Sequence, residues 1–174
     1  LTYKEYDQFA TALRPAEFVP IDGIDRLRWI KDSDELARIR DAVAIADAGF
    51  AHIQRFLRPA VPERDIALEL EFFMRRHGAE KEAFETIVAS GVRSSLPHGR
   101  ASDKRLGAGE FVTLDFGAVS GGYHSDCTRT VALDHVSARQ RELYDRVLTA
   151  QQTALAGLRP GLSGKEADAL ARQV

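Results

Sequence analysis

Two glycines in the stretch from Leu114 to Thr130, LDFGAVSGGYHSDCTRT, restrict what this chain can become more than any other feature. Alternating apolar and polar residues run up to Gly121 and Gly122 and away again, the pattern of two antiparallel strands joined by a tight turn. With the reversal centred between Ser120 and Gly121, Asp115 lies opposite Asp126, Thr113 opposite Thr128 and Gly117 opposite His124. Strand side chains alternate, so these six share one face of the ribbon. The other face carries Val112, Leu114, Phe116, Ala118, Tyr123 and Cys127, which is core material, with Arg129 as the one charge among them.

Carboxylates directly opposite one another have Cβ atoms roughly 4.5–5.5 Å apart and repel. The pair is either solvated at a hairpin end, or relieved by a shared proton, a neighbouring cationic side chain or a bound metal. A divalent cation between both carboxylates is the most economical relief, with the hydroxyls of Thr113 and Thr128 able to orient the ligands. His124 shares their face and reads as a surface residue or a supporting one. His98, in the loop SSLPHGR between Pro97 and Gly99, reads from the residues alone as solvated. His124, Ser125 and Asp126 contain the residue types of a hydrolase triad, but consecutive strand residues point to opposite faces and cannot form one.

The rest of the chain alternates helical and extended texture. A helix is expected over LTYKEYDQFATALRP, a short extended piece over AEFVPIDG, and a long helix over KDSDELARIRDAVAIADAGFAHIQRFLRP. In that helix Asp32 caps, Glu35 closes a capping box, and Leu36, Ile39, Val43, Ala46, Phe50, Ile53 and Leu57 form the buried stripe. Another helix follows Pro62, strands are expected over FETIVASG, EFVTLDFGAV and Tyr123 to Leu133, and two further helices close the chain. The basic group Arg100, Lys104 and Arg105 reads as a solvated loop. LRPAVPERDIALEL from Leu57 is echoed by LRPGLSGKEADALA from Leu158, 101 residues on, as expected of a duplicated helix–helix–strand unit. A formal net charge of −2 gives no electrostatic reason for nucleic acid or an anionic membrane as partner. The single Cys127 fits a reducing compartment, and no apolar run is long enough to span a membrane, so the expected setting is cytoplasmic.

SGVRSSLPHG followed by GAGEFVTLDFGAVSGGYHSDCTRT resembles the proline-specific metallopeptidases of the pita-bread fold, Xaa-Pro dipeptidases and aminopeptidases P. The resemblance implies an α+β fold built from a duplicated helix–strand unit. Residues 32–174 match the first half of the catalytic domain, and residues 1–31 the tail of an N-terminal domain with its linker. It implies two divalent ions, manganese above all with cobalt or zinc as alternatives, Asp115 and Asp126 as ligands, and His98 as a contact to a proline-containing peptide substrate. The family's remaining ligands, one histidine and two glutamates, belong to a second repeat beyond Val174. The expected state of these 174 residues is therefore an incomplete, inactive part of a peptidase, the alternative being a non-enzymatic peptide- or partner-binding module. Half a domain also exposes an apolar edge, so homo-oligomerisation is expected.

Overall fold

The computed structural model describes residues 2–16 and 23–174, in two compact units, residues 1–36 and 37–174. Most of AEFVPIDG lies outside the described residues. In the first unit, α1 (Tyr3–Ala12) starts on a capping box in which Thr2 and Glu5 satisfy each other's backbone amides. A short 3-10 helix, Ile24–Arg28, follows Gly23 in a left-handed conformation. None of the residues of these two helices is buried.

The long helix α2 (Ser33–Ile53) begins as the sequence dictates. Asp32 accepts from the amides of Asp34 and Glu35, and Glu35 accepts from that of Asp32. Of the expected stripe, Ala46 and Ile53 are buried and Phe50 and Leu57 pack against the core, but Leu36 and Val43 are exposed and Ala42 and Gly49 point inward instead. The cause is close packing rather than side-chain bulk. A Cβ added at Gly49 would stand 3.0 Å from Leu70 Cδ1 and 3.2 Å from Met74 Cγ. Small residues thus let α2 settle against α3 (Glu63–Arg76), whose Ile66, Leu70 and Met74 complete the contact.

The sheet covers these helices. Its strands β1 (Ile87–Ser90), β2 (Phe111–Phe116) and β5 (Cys127–Ala132) are all antiparallel in the order β1-β2-β5. A small ribbon, β3 (Val119–Ser120) with β4 (Tyr123–His124), carries the turn. Val88, Val112, Leu114 and Phe116 are fully buried and join Ile53, Ile66, Leu70 and Met74 in one core. The alternation in β2 follows from one face meeting the helices and the other facing away.

Two helices, α4 (Ala138–Gly157) and α5 (Gly164–Arg172), end the chain, both opened by serine capping boxes and neither burying a residue. The first residues of α3 and α5, Glu63 and Gly164, are separated by the same 101 positions as the sequence echo. Leu57 and Leu158 are the extended residues that end the preceding helical segments in each copy. Among the described residues no helix is long and apolar enough to cross a membrane.

Candidate metal centre

The turn decides the register of the hairpin. Gly121 and Gly122 have φ of 55° and 78°, the two left-handed central residues of a two-residue turn, which glycine alone adopts without strain. Ser120 therefore pairs with Tyr123 and Val119 with His124. The register expected from a reversal between Ser120 and Gly121 is corrected by two residues. Asp115 faces Thr128, not Asp126, and Thr113 faces Thr130. A two-residue shift leaves every side chain on its face, so Asp115 and Asp126 remain on one side as a diagonal pair. Diagonal neighbours stand roughly 7 Å apart, which removes the direct clash of charges.

The pair is held from behind. Gly117 is where the backbones approach most closely: a Cβ there would lie 1.9 Å from the carbonyl oxygen of Ser125. Ser125 is buried; its Oγ donates to the carbonyl of Ala42 at 2.9 Å and accepts from the amide of Ala118 at 3.0 Å, tying the residue before Asp126 to α2. On the open face, Thr128 Oγ1 donates to Asp115 Oδ1 at 2.7 Å. That bond fixes one carboxylate oxygen and leaves the other outward. Thr113 Oγ1 lies 3.3 Å from Thr130 Oγ1 and reaches neither aspartate in a hydrogen bond. His124 and Asp126 are exposed while Ser125 points inward, so the three do not form a triad. Arg129, the charge on the core-side face, escapes burial by lying over the Phe50 ring and pairing with Asp47 at 3.6 Å. Cys127 is buried, and burial pushes its thiol upward, away from a reactive thiolate.

His98 lies at the sheet edge next to β1. Arg100 bridges Ile87, which pairs with Asp115, which pairs with Thr128, so one row crosses the sheet from the loop to the hairpin. Gly99 packs on Ala89, which pairs with Thr113 on the carboxylate face; an added Cβ there would come within 2.8 Å of the Ala89 Cβ. The row places the His98 loop two strand spacings, roughly 10 Å, from Asp115. His98 itself is exposed.

The basic residues of this loop are not simply solvated. Lys104 bonds Glu110 Oε2 and Ser90 Oγ, both at 2.7 Å, Arg105 donates to the carbonyl of Ala60 at 2.7 Å, and Arg100 pairs with Glu85 at 2.9 Å. Lys104 and the Gly107 amide hold the Glu110 carboxyl below its ordinary value. Residue patterns did not reveal Glu63 at all. It is fully buried and accepts bonds from Ser90, Ser102 and Arg93. In the sequence it looks like one more acid favouring a helix start.

Two oxygen-donor carboxylates, one of them oriented by a hydroxyl, suit a hard divalent cation. Among the described residues no three of His, Cys, Asp or Glu converge on one point, so the pair is a partial donor set. Beside it, a cleft of about 740 Å³ separates Phe111, Thr128 and Thr130 from Leu143, Val147 and Leu148 of α4.

Metallopeptidase family M24 matches residues 37–174. This chain belongs to that family. An Xaa-Pro dipeptidase of Pyrococcus furiosus is 41% identical over 175 residues, which take in all of this chain and 50% of the relative. An uncharacterized peptidase of Bacillus subtilis is 48% identical over 99% of this chain and 49% of its own length. Among solved structures, the Xaa-Pro dipeptidase from Bacillus anthracis superposes with a TM-score of 0.96 at 49% identity, over 99% of this chain and 49% of that one. The X-Pro aminopeptidase of Thermotoga maritima gives a TM-score of 0.91 at 37% identity, over 99% of this chain and 49% of its own. The M24 chain described here thus spans about half the length of the relatives it matches. Its α+β architecture is that of the pita-bread fold.

Proposed function

We propose that this chain carries part of the active site of a divalent-metal-dependent peptidase cleaving the bond before proline, of Xaa-Pro dipeptidase or aminopeptidase P type. The observation that carries the reading is the diagonal placement of Asp115 and Asp126 on one sheet face, with Thr128 bonded to Asp115. Asp115 and Asp126 are the residues that hold metal, and manganese suits their all-oxygen donor set, with cobalt or zinc as alternatives. When bound, such ions polarise a substrate carbonyl and lower the pKa of water. Thr128 keeps one oxygen of Asp115 occupied so that the other faces the site. The backbone contact at Gly117 sets the spacing of the two carboxylates, and His98 meets a proline-containing peptide from the loop beside β1.

The same reading assigns residues 1–31 to the tail of an N-terminal domain and 32–174 to the first half of the catalytic domain, in a cytoplasmic protein. With two carboxylates as the donor set, these 174 residues bind metal weakly and do not turn over alone. The exposed Leu143, Val147, Leu148 and Leu155 of α4 support association of the chain with a second copy.

The test has two arms on the 174-residue chain: Mn²⁺ binding by calorimetry, and hydrolysis of an Xaa-Pro dipeptide and an Xaa-Pro-Xaa tripeptide, each against Asp126→Ala. Metal binding lost in the variant, without turnover in either, is the expected result. Turnover abolished by the substitution would overturn the inactive reading while upholding the site. Mn²⁺ affinity indifferent to Asp126 would sink the metal site itself, and peptide binding without metal would favour a non-enzymatic module.

A further inference from the structure

The 91–102 loop that carries His98 is fastened to the start of α3 by bonds running in both directions. The N-cap of α3, Pro62, offers no side-chain bond. Instead, the amides of Glu63 and Arg64 donate to the carbonyls of Lys104 and Ser102, at 2.9 and 3.1 Å. In return, the Glu63 carboxylate accepts from the amide and hydroxyl of Ser90, both at 2.8 Å, from the Ser102 hydroxyl at 2.7 Å and amide at 3.3 Å, and from Arg93 Nε at 3.2 Å. Arg93 also donates to the carbonyl of Arg100 at 2.5 Å, two residues beyond His98. Lys104 closes the network by donating to Ser90 Oγ.

A helix start does not need this arrangement. At α5, whose first residue is Gly164 in the position equivalent to Glu63, Ser163 and Glu166 form a local capping box with no buried charge. A fully buried carboxylate is costly, and replacing such groups by apolar ones is often neutral or stabilising. The bonds of Glu63 go to both ends of one loop, residues 90 and 93 on one side of His98 and residue 102 on the other.

We propose that Glu63 is a positioning residue: its buried carboxylate fixes the 91–102 loop, and through it holds His98 at the face carrying Asp115 and Asp126. The proposal rests on the reading of that face as a metal site. Glu63 touches neither metal ligand. It acts by removing alternative loop conformations, so that the imidazole does not have to be ordered when substrate arrives.

The test uses the 174-residue chain with Glu63→Gln and Ser102→Ala. Glutamine keeps the size but cannot accept from Ser90, Ser102 and Arg93 together, and Ser102→Ala deletes, at a half-buried position, the hydroxyl that donates to Glu63 and accepts from the Lys104 amide. Amide hydrogen exchange over residues 91–102 is read beside exchange in the core strands, and Mn²⁺-induced broadening of the His98 ring signals beside Mn²⁺ affinity. Expected are loop exchange faster by roughly tenfold in Glu63→Gln and by a few-fold in Ser102→Ala. Core-strand exchange accelerates less than loop exchange, His98 broadening weakens, and Mn²⁺ affinity stays within about twofold, a combination that a merely structural role does not produce. Loop exchange within twofold of the unaltered chain, or His98 broadening that does not change, overturns the proposal. If Glu63→Gln does not fold, Ser102→Ala decides by the same criteria. Failure of the unaltered chain to bind Mn²⁺ refutes the metal reading separately, and loop exchange then decides whether Glu63 orders the loop.

Discussion

Gly117→Ala is the sharpest probe of how the two aspartates are spaced. The added Cβ would lie 1.9 Å from the Ser125 carbonyl oxygen, 2.9 Å from the Ser125 carbonyl carbon and 2.9 Å from the Ala83 Cβ. Non-bonded heavy atoms settle near ~3.5 Å, so the strands must part by roughly 1.5 Å. Ser125 cannot move that far and keep both bonds of its hydroxyl, accepted from the Ala118 amide at 3.0 Å and donated to the Ala42 carbonyl at 2.9 Å. Two lost hydrogen bonds at about 1 kcal/mol each, with overpacking of about 1–3 kcal/mol, give a destabilisation of about 3 kcal/mol or more. For a chain of this size that lowers Tm by roughly 6–12 °C. Because Asp126 is the residue displaced, Mn²⁺ affinity is expected to fall by roughly tenfold or more. Gly122→Ala is the control. Nothing lies within 4 Å of its added Cβ, and only its φ of 78° is penalised. It costs about 1 kcal/mol, or roughly 2–4 °C, with Mn²⁺ affinity kept. Thermal melts and calorimetry on the three proteins read both quantities. A Gly117→Ala chain that melts with the unaltered one and binds Mn²⁺ as well would refute the close-approach reasoning.

Three further outcomes are expected. Thr128→Val removes the 2.7 Å bond to Asp115 and should weaken Mn²⁺ binding by roughly tenfold at a cost below about 1 kcal/mol in stability, read by calorimetry and urea melts. Burial raises the pKa of Glu63, but the bonds from Ser102, Ser90 and Arg93 outweigh it and leave the group below its ordinary value. A value lower folded than unfolded means that its stabilisation is complete above the unfolded pKa and is lost as pH falls through the folded one. Tm should therefore drop with acidification below the ordinary glutamate range, and less steeply in Glu63→Gln. Val147→Glu, at an exposed apolar position on α4, should reduce the apparent mass seen by light scattering at high concentration; an unchanged mass would remove α4 from the contact.

Much of the fold was legible because local chemistry and tertiary packing agree. Asp32 with Glu35 starts α2 where capping rules put it, and the alternation along β2 buries Val112, Leu114 and Phe116 as their period requires. The hairpin register was misjudged because its faces are insensitive to a two-residue shift, and the decision lay in the left-handed φ of both glycines. The α2 stripe departs from its expectation at Leu36 and Val43 because burial there follows close approach and not bulk: Ala42 and Gly49 mark where other elements come near. Long-range partners leave no mark on a sequence read locally. Glu63 meets groups 27, 30 and 39 residues away, and Ser125 an oxygen 83 residues away. Serine in HSD could have been assigned inward by parity alone; nothing near Pro62 distinguishes Glu63 from an ordinary first-turn acid.

The missing side-chain cap at Pro62 has a consequence for how the molecule forms. The first two amides of α3, those of Glu63 and Arg64, bond carbonyls of Lys104 and Ser102, about forty residues downstream. α5, by contrast, closes its own start within three residues. The beginning of α3 therefore stays frayed until β1 and the loop after it have docked, and its completion belongs to the slow, non-local part of folding. Substitutions in the loop should slow refolding and leave unfolding nearly unchanged where that docking is already made in the transition state. A nascent chain halted before Ser102 would carry a helix whose first two amides have no carbonyl partner in the chain.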